Sequence, residues 1–188
     1  ASQAILNRMQ VNSASVAVFN PTSWQRDDLI ALPLTEELSQ KTLLGPGGDL
    51  CASQVIETEG GQQLLLEANS VPAYGYRIFP LVPAQGETAN PITVRPDYLE
   101  NTWFQIHLNQ QGQITSLFDR KNGRELLPAG CRANVLQVFE DKPMKFDAWD
   151  IDIFYQEKMR EITDLREAVV EEVGPLRGTL RLTWQFGD

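Results

Sequence analysis

Residues 52–68 read ASQVIETEGGQQLLLEA and carry a strong fold signal. The apolar residues on each side of Gly60-Gly61 suit two short strands. Adjacent glycines accept the positive φ angles that a two-residue hairpin turn requires. The stretch therefore predicts an antiparallel β-hairpin with its turn at Gly60-Gly61.

Similar strand signals recur on both sides of this hairpin. Apolar runs that end at or just before a proline occupy residues 15–19, 29–32 and 74–79. Short strands at regular spacing, separated by glycine and proline turns, are typical of a β-sandwich. We therefore predict a small β-sandwich domain over residues 13–90. Apolar residues at helical spacing before it predict a short N-terminal helix tail over residues 1–12.

A second β region is predicted after a connecting stretch. Residues 83–96 hold three prolines and few large apolar residues, which is typical of a linker. Beyond it, residues 103–108 and 113–119 suit a hairpin, and residues 180–186 alternate apolar and polar side chains. These signals predict a second β domain over residues 91–188.

The charge balance limits the kinds of partner. The 188 residues carry a formal net charge of -9, and 42% of them are hydrophobic. An acidic chain repels phosphate backbones and anionic lipids, so we expect neither nucleic acid nor membrane as a partner. Because residue 1 is alanine and no leader follows, we expect a piece of a longer protein.

Cysteine and histidine are too sparse for a metal site or a disulfide framework. Cys51 and Cys131 are far apart in sequence, which predicts reduced thiols, with a disulfide between them as the alternative. His107, the one histidine, falls on the polar side of a strand pattern and is predicted to be a solvated strand residue. A zinc site usually needs several His or Cys ligands, so none is expected here.

Residues 140–155 read EDKPMKFDAWDIDIFY and interleave carboxylates with aromatic rings. Sugar sites use this mixture, because a pyranose packs its C–H face on an aromatic ring and its hydroxyls donate to carboxylates. Trp149 is the candidate platform, and Asp147, Asp150 and Asp152 are the candidate acceptors.

Other interpretations of the same residues stay open. Trp149, Ile151 and Ile153 alternate as in a strand, which would place Trp149 in a core. The three aspartates are also oxygen ligands of the kind that calcium takes, although their spacing does not match an EF-hand loop. A pair of them as glycosidase acid and base would need a separation that sequence does not give.

These residues also carry a family resemblance. FEDKP at 139–143 and FDAWDID at 146–152 resemble the signature of cytosolic and bacterial glycoside hydrolase family 38 α-mannosidases. VFNPTSW at 18–24 and VPAYGY at 71–76 resemble two further motifs of that family. Residues 99–126, with LEN, GQITSLFD and NGREL, resemble the start of its large β-supersandwich. The motifs occur in the family's order.

The resemblance implies a mainly β segment, with a small β-sandwich followed by the truncated start of a galactose-mutarotase-like β-supersandwich. It implies a parent protein that is a retaining α-mannosidase. In such enzymes an aspartate nucleophile and a divalent metal, usually zinc, lie in an N-terminal barrel. Nothing in this chain resembles the barrel motifs, so no catalytic residue and no bound cofactor are expected in the segment itself.

The resemblance also implies partners and a location. The expected partners are the catalytic barrel of the same protein and a mannose-containing oligosaccharide, in the cytoplasm. Because β-domain loops of family members line the substrate pocket, Asp147, Trp149, Asp150 and Asp152 are candidates for lining it or for contacting the barrel. The alternatives are an independent carbohydrate-binding module and a purely structural scaffold.

Overall fold

The structure is a computed structural model that describes residues 14–84, 89–146 and 148–187. The regular structure in these ranges is almost all β-strand, which confirms the predicted mainly β class. The predicted helix tail at residues 1–12 lies outside the described residues. Among the described residues, no helix has the length and apolar character that crossing a bilayer would take.

The chain divides into two compact units. Unit 1 comprises residues 1–90 and 174–177, and unit 2 comprises residues 91–173 and 178–188.

The described residues of unit 1 form two three-stranded antiparallel sheets. Its strands are β1 (Ser15–Asn20), β2 (Arg26–Pro33), β3 (Lys41–Leu43), β4 (Ser53–Thr58), β5 (Gly61–Val71) and β6 (Gly75–Pro83), with a 3-10 helix at Leu38–Gln40. One sheet has the order β1-β6-β3 and the other has the order β2-β5-β4.

The core of unit 1 takes side chains from both sheets. Leu66 and Ala68 of β5 are fully buried, as are Phe79 of β6 and Leu43 of β3. Sheets that pack their apolar faces in this way form a β-sandwich, and the buried apolar area is the main source of its stability.

The predicted hairpin is present, with its turn one residue earlier than expected. Thr58 pairs with Gly61, so Glu59 and Gly60 form the turn. Gly61 has a φ of +104°, a conformation that favours glycine. The two adjacent glycines therefore marked the turn but not its register.

A buried polar side chain in β4 binds the backbone of residues 174–177. The Oε1 atom of Gln54 accepts hydrogen bonds from the amides of Leu176 (3.0 Å) and Arg177 (2.9 Å). Its Nε2 atom donates to the Arg177 carbonyl at 2.9 Å. These bonds satisfy an amide that burial would otherwise leave costly, and they hold the 174–177 turn in unit 1.

In the described part of unit 2, the strands form a five-stranded antiparallel sheet and two two-stranded ribbons. Its strands are β7 (Thr93–Arg95), β8 (Tyr98–Glu100), β9 (Phe104–Leu108), β10 (Ile114–Asp119), β11 (Arg124–Glu125), β12 (Gln137–Phe139), β13 (Met159–Glu161), β14 (Leu165–Val173) and β15 (Gly178–Trp184). The large sheet has the order β11-β10-β9-β8-β7, β12 pairs with β13, and β14 pairs with β15.

Most strand predictions in unit 2 are confirmed, with differences at their ends. β9 and β10 pair as the predicted hairpin. Part of the predicted linker is instead strand, because Thr93–Arg95 pairs with β8. In β15, Leu182 and Trp184 are half-buried as the alternation predicts, but Phe186 lies beyond the strand and is 54% exposed.

The predictions for the sparse ionisable side chains are also confirmed. His107 is exposed on β9, where its ring lies 4.8 Å from that of Tyr98 on the neighbouring strand. Cys51 is free and buried, and Cys131 is free and exposed. Burial raises the pKa of the Cys51 thiol, and the nearby Glu67 carboxylate adds to the rise.

The β9–β10 turn packs against the end of β15. The Trp184 indole Nε1 donates a hydrogen bond of 2.9 Å to the carbonyl of Gln111. A Cβ atom on Gly112 would lie 2.7 Å from Cζ2 of Trp184, and Gly112 has a φ of +73°. Both the close approach and the backbone conformation therefore require glycine at this position.

Candidate functional site

The acidic-aromatic segment forms a loop, residues 140–158, that connects β12 to β13 within unit 2. Phe139 pairs with Met159 at its base, and the amide of Glu140 donates to the Lys158 carbonyl at 3.0 Å. The Phe139 ring meets the Tyr155 ring edge-on, with centroids 5.2 Å apart. The two ends of the loop are therefore fixed next to each other.

Ion pairs also hold the two ends of the loop together. The Glu140 carboxylate forms ion pairs with Lys142 and with Lys158, the latter at 2.5 Å. Hydrogen bonds from both ammonium groups lower the pKa of Glu140 to about 2. Glu140 is therefore an ionised anchor of the loop rather than an acid poised to give up a proton.

The tip of the loop is a tight turn and not a strand. The amides of Trp149 and Asp150 both donate to the Phe146 carbonyl, at 2.7 and 3.0 Å, and Phe146 has a φ of +58°. Asp152 closes the turn, because its carboxylate accepts a 2.7 Å hydrogen bond from the Met144 amide. The strand alternation suggested for Trp149, Ile151 and Ile153 is therefore wrong. Residues Ile153–Glu157 form a 3-10 helix instead.

The burial of Trp149 decides against its interpretation as a core residue. Its side chain is 89% exposed, and Ile151 and Ile153 are about as exposed, at 71% and 70%. Asp150 is exposed beside it, and Asp152 is half-buried. Asp147 lies outside the described residues. Of the four candidates, the structure brings Trp149 and Asp150 together in one turn and gives Asp152 a structural bond.

Metal coordination has no ready donor set in the described ranges. Within residues 14–84, 89–146 and 148–187, no three His, Cys, Asp or Glu side chains converge as metal ligands would. The calcium interpretation counts Asp147 among its ligands, so it falls partly outside this description.

A polar cluster beside the loop was not found from the sequence. Arg132 pairs with Glu161 of β13 through two bonds of 2.9 Å. Gln113, which is 2% exposed, accepts from Arg132 at 2.8 Å and from Asn109 at 3.0 Å. The hydrogen bonds from Arg132 lower the pKa of Glu161. The members of this polar cluster come from three separate stretches of the sequence. No local sequence pattern therefore predicts that they support β13.

In unit 1, two of the family-like motifs meet at a single side chain. Asn20 is 4% exposed and its Nδ2 atom donates to the carbonyls of Trp24 (2.7 Å), Val71 (3.2 Å) and Pro72 (3.1 Å). Its Oδ1 atom accepts from both the amide and the hydroxyl of Thr22. We call this arrangement the Asn20 knot. It joins VFNPTSW to VPAYGY, a contact that Asn20-Pro21 as a turn signal did not suggest.

Comparison with known proteins finds one family model that is similar to residues 99–188. Residues 99–188 match the model of the glycosyl hydrolases family 38 C-terminal domain. The whole chain is similar to Alpha-mannosidase 2C1 of Homo sapiens, with 26% identity over 196 residues, covering 98% of this chain and 16% of the relative. The chain thus spans a small part of the curated relative's length.

Two further similarities agree with that match. Alpha-mannosidase G of Dictyostelium discoideum is 34% identical over 80 residues, which covers 42% of this chain and 7% of that protein. In fold, the chain is similar to the crystal structure of an alpha-mannosidase from Enterococcus faecalis, with a TM-score of 0.58 and 12% identity, over 90% of this chain and 23% of that chain. Residues 99–188 therefore resemble the C-terminal domain of glycosyl hydrolase family 38, in agreement with the sequence motifs.

Proposed function

We propose that the chain is a non-catalytic C-terminal β segment of a retaining α-mannosidase that removes terminal α-linked mannose from oligosaccharides or glycans. The observation that carries the proposal is the match of residues 99–188 to the family's C-terminal domain. The similarity to Alpha-mannosidase 2C1 over 16% of that protein's length adds support. The division of the chain after residue 90 supports our proposed domains at residues 13–90 and 91–188, except that residues 174–177 belong to unit 1.

The catalytic groups would then lie in a barrel elsewhere in the longer protein. That barrel would hold an aspartate nucleophile and a divalent metal, and we propose that the metal is zinc. A cytoplasmic location is supported by the two free thiols, since such thiols persist in a reducing compartment.

The tip of the 140–158 loop is our proposed contact with the barrel or its mannose site. Trp149 offers an exposed ring, and Asp150 offers an exposed carboxylate in the same turn. Exposed apolar side chains grouped in this way are typical of surfaces that a partner covers. Asp147 and Asp152 complete the candidate set, with Asp152 acting on the shape of the turn through Met144.

The test compares the 188-residue chain with the longer protein that contains it. Both are assayed with an aryl α-mannoside, with added divalent metal and after chelation. We expect hydrolysis by the longer protein that chelation abolishes, and none by the chain. Turnover by the chain itself would overturn the proposal, and so would a longer protein that is inactive on α-mannosides under all these conditions.

The exposure of Trp149 also favours a second candidate, an independent carbohydrate-binding module. Titration of the chain with mannose and mannobiose separates the two. Saturable binding that Trp149→Ala abolishes would support the module. Heats at the dilution baseline would reject it and leave the barrel contact as the role of the loop.

A further inference from the structure

The Asn20 knot displays aromatic side chains that the proposed function has not used. Trp24 is 61% exposed and Tyr74 is 76% exposed, although both belong to turns that the knot holds. The Tyr74 amide donates to the Thr22 carbonyl at 2.9 Å, so the two turns are bonded directly. Two large rings are thus held in water on a rigid backbone.

A third exposed ring, that of Tyr76, lies two residues beyond Tyr74 in the sequence, at the end of the β1–β6 pair. Tyr76 is paired with Phe19 across the sheet, and their ring centroids are 5.5 Å apart. Tyr76 is 44% exposed. With Tyr74 and Trp24, this end of unit 1 carries two phenol hydroxyls and an indole, groups that combine an apolar face with a hydrogen-bonding edge.

A small cavity opens beside Phe19, the ring partner of Tyr76. It has a volume of about 140 Å³, and polar side chains (Asn20, Arg26, Asp28) and apolar ones (Val18, Phe19, Leu29, Ile30, Val71) line it. Arg26 and Asp28 form an exposed ion pair. This guanidinium and carboxylate, which line the same cavity as the Phe19 ring, provide charge-assisted donors and acceptors of the kind that sugar hydroxyls bind.

The backbone at this site is held in conformations that ordinary residues avoid. Tyr74 has a φ of +46° and Ser70 has a φ of +59°. At Ser70 the register between β2 and β5 shifts, and the Asp27 carboxylate accepts from the Ser70 amide at 2.6 Å. Such strain persists where the surroundings over-determine it, and it is concentrated at functional sites.

We propose that Trp24, Tyr74 and Tyr76, with the Arg26–Asp28 pair, form a binding site for a hexose unit of an oligosaccharide. A pyranose packs its C–H face on the rings, and its hydroxyls exchange hydrogen bonds with the ion pair. The choice of mannose as the hexose rests on the proposed function. The site would hold one part of a branched substrate chain on unit 1 while hydrolysis takes place elsewhere in the protein.

The experiment titrates the 188-residue chain with mannobiose and follows backbone amides by heteronuclear NMR. We expect saturable shifts at residues 19–28 and 72–77. Trp24→Ala removes the indole and is expected to weaken binding about tenfold or more. Tyr74→Gly removes a ring at a position where glycine accepts the positive φ, so it should weaken binding without loss of fold.

Matched controls locate the effect. Trp103→Ala removes another exposed indole, 53% exposed, in unit 2 and should leave the affinity unchanged. Trp149→Ala tests whether the 140–158 loop, rather than this site, binds the sugar. Absence of saturable shifts, shifts confined to residues 144–155, or unchanged affinity in folded Trp24→Ala and Tyr74→Gly would each overturn the proposal. The hydrolysis assay on the longer protein is a separate readout, so either proposal can fail alone.

Discussion

Asn20 shows how much of this fold depends on single polar side chains. The side-chain amide of Asn20 donates hydrogen bonds to three backbone carbonyls in two turns, in place of backbone N–H groups. We expect Asn20→Ala to lower the free energy of unfolding by about 1–3 kcal/mol, because buried carbonyls would lose their partners. Denaturant unfolding of the chain measures this.

The isosteric variant Asn20→Asp tests which half of the amide matters. It keeps the acceptor for Thr22 and loses the donors, so its loss should match or exceed that of the alanine variant. A change below about 0.5 kcal/mol in both variants would contradict the role of the knot.

Glu125 gives the fold a dependence on acid. Its carboxylate accepts from the Ser116 hydroxyl at 2.6 Å and from the amides of Leu117, Leu126 and Leu127. The Ser116 bond, with those amides, lowers the pKa of Glu125 to about 2. The unfolded chain therefore binds this proton at a higher pH than the folded chain does. The stabilisation is present above the unfolded pKa and is lost as pH falls towards about 2.

We expect Glu125→Gln to flatten the decline of stability between about pH 5 and about pH 2. Urea midpoints across that range measure the slope. Glu59→Gln, in the exposed β4–β5 turn, is the control. Glu140 contributes a decline of the same sign, so part of the slope should remain. Parallel slopes for the wild type and Glu125→Gln would refute the prediction.

At the scale of elements, the packing of the β9–β10 turn on β15 allows a direct test. Gly112→Ala would place a methyl group 2.7 Å from the Trp184 ring. Gly123→Ala meets no atom within 4 Å at a similar positive φ, so it isolates the backbone cost, roughly 1–2 kcal/mol. We expect Gly112→Ala to be more destabilising by a further ~1–3 kcal/mol, since the methyl group overpacks the turn.

Tryptophan fluorescence during denaturant unfolding reports both variants. Equal losses for Gly112→Ala and Gly123→Ala would mean that the Trp184 contact gives way at no cost.

The elements also show what a sequence can predict. The β4–β5 and β9–β10 hairpins were predictable because their alternation and turn glycines are local. β7 was not, because a three-residue strand next to a proline carries too little pattern and is defined by its pairing with β8.

The loop was misjudged for a related reason. Residues 149, 151 and 153 alternate, but the Phe146 carbonyl takes two amide bonds that turn the chain back. The Asn20 and Gln113 clusters were out of reach because their partners lie far away in sequence. In the candidate site, neither the exposure of Trp149 nor the hydrogen bond from the Met144 amide to Asp152 was predictable.

At the scale of the whole molecule, exposed apolar side chains and net charge act against each other. Residues 144–154 expose Met144 (80%), Phe146, Trp149, Ile151, Ile153 and Phe154. The net charge of -9 keeps copies apart, and salt screens that repulsion. We expect self-association of the chain to increase with ionic strength, as measured by sedimentation velocity.

The triple variant Met144→Ser, Ile151→Ser, Ile153→Ser should remove most of that dependence. The same substitutions at Leu29, Leu50 and Val55 in unit 1 replace side chains that expose less apolar area. They should therefore remove little of the dependence on ionic strength. Equal effects of the two triples would show that association does not depend on the loop.

The Asn20 knot finally bears on how the chain folds. Asn20 donates to carbonyls 51 and 52 residues away in the sequence. These hydrogen bonds can therefore form only after most of unit 1 has come together. Because closing so long a loop costs entropy, we expect these bonds to form after the folding transition state. Loss of the knot should therefore speed unfolding and leave the refolding rate almost unchanged. The Asn20 knot would then set the unfolding rate of unit 1, and so the time for which unit 1 stays folded.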